Sequence, residues 1–141
     1  MAKVSTYINC LGNTEEAFNF YKRAFGTEFL IVTRFSDVGM PLPEEEANML
    51  LHIELPILGG HVLMGTDMLR SAGHELQIGN NISINLEPDS REQADQLYAA
   101  LSEGSGDTAG LNDMPWGAYW GSFIDKFNIR WMINFVDTVT Q

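Results

Sequence analysis

Apolar and polar residues alternate from Val4 to Cys10, a period of two that predicts a β-strand. The period then lengthens. Ala17, Phe20, Tyr21 and Ala24 recur at helical spacing behind Asn13, and Glu16 stands where a capping box would open a helix at Asn13. Glu28 to Phe35, Asn48 to Leu55 and His61 to Thr66 read as further strands, with a turn over Pro56 to Gly60 between the last two. Ser36 to Ala47, with Pro41, Pro43 and three successive Glu, reads as an exposed loop able to cover a pocket mouth.

The second half repeats this plan. Asn81 to Glu87 alternates like a strand, Pro88-Asp89-Ser90 punctuates it, and Ser90 with Gln93 offers a second capping box ahead of the stripe Ala94, Leu97, Tyr98 and Leu101. Ala17 and Ala94 are 77 positions apart, as are Tyr21 and Tyr98, so an internal duplication is indicated. Glu103 to Asp107 makes a loose connection, a short strand follows near Thr108 to Leu111, and a hairpin closes the unit. The glycines near Gly104 lack a following Lys-Ser or Lys-Thr, so they do not form a phosphate-cradling loop. The reading is α+β, two βαβββ modules at about 1–70 and 78–141, within one domain over 1–141.

The closing hairpin is the most distinctive segment. Trp116-Gly117, Tyr119-Trp120-Gly121 and Phe123 precede the turn Asp125-Lys126-Phe127-Asn128, and Trp131 lies in the last strand. This stretch resembles the vicinal oxygen chelate superfamily (glyoxalase, bleomycin resistance and dioxygenase proteins), specifically its PhnB-like branch, with Lys126 where Pro is usual and Asn128 where Gly is usual. Asn tolerates the left-handed backbone such a turn requires. The resemblance implies curved mixed sheets around a cup, with the helices on the convex side, and it implies a homodimer. Three Trp and seven Met, more than a small domain must bury, agree with an interface.

Strand alternation sorts the side chains within that cup. Leu51, Ile53 and Leu55 form a row suited to packing under a helix, which leaves Leu50, His52 and Glu54 facing the cup. Ile82, Ile84 and Leu86 do the same in the second module, leaving a polar floor of Asn81, Ser83 and Asn85. Parity does not settle which row of the last strand faces in. His52, flanked by Glu54, is the candidate general base. Thr6, Arg34, Asn81, Ser83, Asn85, Trp116, Tyr119 and Trp120 are the candidate ligand contacts, the aromatic ones by stacking. His61 and His74 read as surface residues, and Cys10 as a buried thiol.

Metal-dependent members of the superfamily draw His and Glu ligands from the first and last strand of each module. Alignment through the helices and the closing turn puts Thr6 and Asn81 at the first-strand positions, with Met64 or Gly65 and Met132 at the last-strand ones. None is a good ligand for a hard divalent cation. The expectation is therefore no cofactor and no metal at the usual place, and a divalent metal only at a shifted site on His52 and Glu54.

Composition narrows the partners. Eight Lys plus Arg against 19 Asp plus Glu give a net charge of -11, which argues against nucleic acid and anionic membrane surfaces. No leader or spanning segment is read, and one Cys excludes an intrachain disulfide, so a cytoplasmic protein is expected. Three readings stay open: a metal-free protein binding a small organic molecule in the cup, a lyase or isomerase using His52 as base, and a protein working through its surface. A metal-dependent lyase or dioxygenase would need the shifted site.

Overall fold

The computed structural model describes residues 1–137; the end of the second expected module, 138–141, lies outside the described residues. The chain divides into two compact units, Met1–Gln77 and Ile78–Gln141. The first runs through β1 (Thr6–Cys10), α1 (Thr14–Phe25), β2 (Ile31–Arg34), the short α2 (Glu44–Ala47), β3 (Leu50–Pro56) and β4 (Val62–Asp67). Its strands lie in the order β1-β4-β3-β2, with β1 and β4 parallel and the other neighbours antiparallel. The second runs through β5 (Ile84–Leu86), α3 (Arg91–Leu101), β6 (Asp107–Thr108), β7 (Asn112–Asp113), β8 (Tyr119–Ile124) and β9 (Arg130–Phe135). Here the order is β5-β9-β8-β6, with β7 also pairing β8. Both sheets are mixed and each carries one long helix, so the α+β class and the βαβββ plan are as the pattern predicts, save that the strand near Thr108 is two short pieces.

In the first unit α1 packs on β3 and β4. The contact is close: a Cβ on Gly65 would sit 2.6 Å from the Phe18 ring, so β4 approaches the helix only because this position is glycine. Ile8, Ile53 and Gly65 are register partners, which puts Ile8, Ile53, Leu55 and Leu63 on the helix side. Asp67 ends that row. Its buried carboxylate accepts from the backbone N–H of Gly12 and Thr14, from Thr14 Oγ1 and from the N–H of Leu50. A charged acceptor reaching in from β4 explains why Asn13 makes no side-chain cap, contrary to the expected capping box.

In the second unit Tyr98 of α3 meets Phe123 edge-on at 5.0 Å, which defines the helix side of that sheet. Trp131, Ile133 and Leu86 share it. The hairpin turn is braced by Asp125, whose carboxylate accepts from the N–H of Phe127 and Ile129 and from the Trp131 indole. Asn128 takes the left-handed conformation, at φ 69°, that its place in the turn requires. Ser90 caps α3 by accepting from the Gln93 N–H at 3.0 Å, while the Gln93 side chain accepts from Asp89 rather than from Ser90.

Three further expectations change. Residues 36–47 are not uniformly exposed: a 3-10 turn at Phe35–Val38 and α2 bury Phe35 and Glu46, and the Glu46 carboxylate accepts from Ser71 Oγ and N–H. A β-bulge between Thr33 and Arg34 pairs them with His52 and Leu50, skipping Leu51, so Leu50 is fully buried and Leu51 only half-buried. Ile82 is 77% exposed and precedes a strand of only three residues, leaving Ile84 and Leu86 as the helix-side pair.

Candidate functional site

The helix-free face of the first sheet presents Tyr7 from β1, Met64 and Thr66 from β4, His52 and Glu54 from β3, and Thr33 from β2, all by alternation from the helix-side rows. Three of these are wired in series. His52 Nε2 lies 2.8 Å from Glu54 Oε2, and His52 Nδ1 lies 3.0 Å from Tyr7 Oη. A carboxylate can only accept, so Nε2 carries the imidazole proton; in the neutral ring Nδ1 is then the acceptor and the Tyr7 hydroxyl donates to it. The Tyr7 and His52 rings also stack, 5.6 Å between centroids with planes 26° apart. Tyr7 is the exposed end of the chain, at 46%. Its phenol is raised above the usual tyrosine value, chiefly by burial, with its interaction with the Thr66 side chain acting the other way and the negative charge of Glu54 adding to the rise. It therefore stays protonated at neutral pH.

His52 and Glu54 thus lie together on the face away from the helix. Thr6 does not join them: it alternates with Tyr7, and its Oγ1 is 2.8 Å from His61 Nε2. Arg34 is engaged elsewhere, its guanidinium bidentate on Glu15 at 3.0 and 2.6 Å and on the Asn48 carbonyl at 2.8 Å. That pairing lowers the Glu15 carboxyl through its hydrogen bond with Arg34 and raises Arg34 in turn. His74 Nδ1 accepts from the Leu69 N–H, and Cys10 is buried.

In the second unit the helix-free face brings together Asn85, Met132 and Ser122 in one register row, and Trp120 with Asn134 in the next. Arg130, paired with Ile124, shares it. Asn81 and Ser83 lie outside β5 and are exposed. Tyr119 turns to the helix side, where its hydroxyl donates to Asp95 at 2.5 Å and the Arg91 guanidinium covers its ring at 3.9 Å. The hydrogen bond to Asp95, first among several causes, raises its phenol. Trp116 stands in a turn, 70% exposed.

Tyr7, Thr66, Ser122, Arg130 and Asn134 are the residues sequence reading missed. For Arg130 and Asn134 the signal existed in the parity of the last strand, which needed only one anchor to resolve, and Trp131 bonded to Asp125 supplies it.

No protein-family model matches the chain. Protein YjdN of Escherichia coli (strain K12) is 23% identical over 146 residues, covering 94% of this chain and 95% of that one. The crystal structure of protein PA1353 from Pseudomonas aeruginosa matches with a TM-score of 0.82 and 28% identity, over 96% of this chain and 98% of that one. A PhnB protein from Bacillus cereus matches at TM-score 0.77 with 21% identity over 96% and 100%, and a glyoxylase/bleomycin resistance protein/dioxygenase domain from Frankia sp. EAN1pec at 0.64 with 14% identity over 98% and 94%. The fold is that of the vicinal oxygen chelate superfamily. The likeness in fold extends both to a PhnB protein and to a glyoxylase/bleomycin resistance protein/dioxygenase domain.

The metal that the superfamily implies does not fit the residues present. On the helix-free faces the first and last strands present Tyr7 with Met64 and Asn85 with Met132, two thioethers among them. Among the described residues no three His, Cys, Asp or Glu side chains converge as a ligand set. His52 and Glu54 are a bonded pair without a third donor of that kind, and two ligands from one strand do not make a metal centre.

Proposed function

We propose that this protein binds a small organic molecule on the helix-free faces of its sheets, in the manner of the bleomycin-resistance type within the vicinal oxygen chelate superfamily. The observation that carries the reading is the Tyr7–His52–Glu54 chain, a preorganised polar group on a face that packs against no helix of its own unit. A structural ion pair would need no third member, whereas here the chain ends on a half-exposed phenol with oxygen lone pairs to offer. The reading has the protein act in the cytoplasm, as a homodimer, with a small molecule rather than nucleic acid as its partner. The net charge of -11, a lone Cys10 and the absence, among the described residues, of a helix long and apolar enough to cross a membrane support it.

A second reading, a lyase or isomerase moving a proton, is favoured by the tautomer. Glu54 holds the proton on Nε2 and would stabilise the imidazolium, so His52 Nδ1 is poised to take a proton delivered through Tyr7. Fragment binding followed by NMR separates the two. Binding demands that fragments move the Tyr7 and His52 signals and lose affinity in Tyr7→Phe; catalysis demands in addition that His52→Ala retain binding but stop turnover. Fragments that leave both residues unmoved would remove both readings.

A further inference from the structure

The helix-free face of the second sheet holds two buried polar atoms with no partner among the described residues, Arg130 Nε and Asn134 Oδ1. Both lie on β9, and with Met132 between them at alternate positions they project from one face, about 13 Å apart at the backbone given ~3.3 Å per residue. Met132 is opposite Asn85 and Ser122, and Asn134 is opposite Trp120. A guanidinium N–H removed from water with no acceptor is unfavourable. Two other guanidinia are bidentate on carboxylates, Arg34 on Glu15 and Arg91 on Asp113, and Arg23 and Arg70, which lack such a pair among the described residues, are exposed to water. Arg130 has no ion pair with a carboxylate among the described residues, although the chain holds 19 acidic residues.

We propose that this face recognises a small organic carboxylate. The ligand's carboxylate accepts from Arg130 Nε–H, its N–H or O–H group donates to Asn134 Oδ1, and its body lies over Met132 beside Trp120. A single guanidinium matches one planar, singly charged oxyanion; a dianion would ask for a second cation on a protein of net charge -11. The inference rests on the small-molecule reading above and names the class of ligand.

The test follows the Arg130 Nε–H signal of the full chain by NMR during titration with 4-aminobenzoate and with its uncharged counterpart 4-aminobenzamide. The expected result is a saturable shift with the carboxylate and about tenfold weaker binding of the amide. Arg130→Met abolishes the difference, and Arg130→Lys keeps part of it. Equal affinity for the two probes, or an Arg130 signal unmoved at saturation, overturns the carboxylate assignment. In that event, amide binding that moves Tyr7 and His52 leaves the small-molecule reading standing, whereas probes that move neither face overturn both.

Discussion

The two units share a plan and differ in what their helix-free faces do with polar groups. On the first sheet Tyr7, His52 and Glu54 are bonded to one another. On the second, Arg130 Nε and Asn134 Oδ1 have no partner among the described residues. Each unit also has a buried aspartate, at different places: Asp67 ends β4 and holds the start of α1, and Asp125 braces the turn between β8 and β9. The strand order is alike in the two units, and the polar groups of the faces differ. A self-bonded row holds its groups in fixed orientation, and a row with unmet hydrogen-bonding capacity leaves that capacity for another group. The difference shows that topology alone does not assign chemistry to such a sheet.

The largest effect should come from breaking the frame. Asp67→Ala leaves the Gly12, Thr14 and Leu50 donors without an acceptor, and a loss of about 3 to 5 kcal/mol is expected in urea unfolding. A loss under about 1 kcal/mol would show that the carboxylate does not organise the start of α1. Next, Arg130→Met should stabilise the ligand-free protein by about 1 kcal/mol, since it removes a buried, unpaired N–H in favour of an apolar side chain of similar length. Calorimetry showing a lower Tm would mean that Arg130 is structural. That sign is opposite to the one expected for a paired guanidinium.

Arg34 is such a group, and it gives the smallest effect. The pairing holds Glu15 below the usual carboxylate range in the folded state, so its contribution is present at neutral pH and is lost as pH falls through the lowered value. Because Glu15 is half exposed, Arg34→Met should cost no more than about 0.5 kcal/mol at neutral pH. The Tm difference from wild type should shrink toward zero in acid. A gap that persists there would show that Arg34 acts by packing and not by charge.

The periodic parts of this fold were legible in the sequence. The 77-residue offset of Ala17/Ala94 and Tyr21/Tyr98 anticipated two helices on two like units, and Asn128 anticipated the left-handed turn. What escaped did so where a long-range contact overrides a local rule. Asn13 lost its capping role to a carboxylate 54 positions away, Asp67. Leu50 changed sides because a bulge at Leu51 shifts parity, and nothing in the local sequence of β3 announces it. The placement of His52 and Glu54 on one face followed from alternation, but Tyr7, which completes their chain, comes from a strand 45 positions earlier. Arg34 looked available in the sequence because its partner Glu15 lies on a different element.

The most direct test is a long-range proton–nitrogen NMR spectrum of the His52 ring, taken on the free protein and again after saturation with a bound fragment. The expected result is the Nε2–H tautomer in the free state, with Nδ1 as acceptor, and a shift of the Nδ1 and Tyr7 signals when the fragment binds. An Nδ1–H tautomer, or a ring whose signals do not move at saturation, would contradict it.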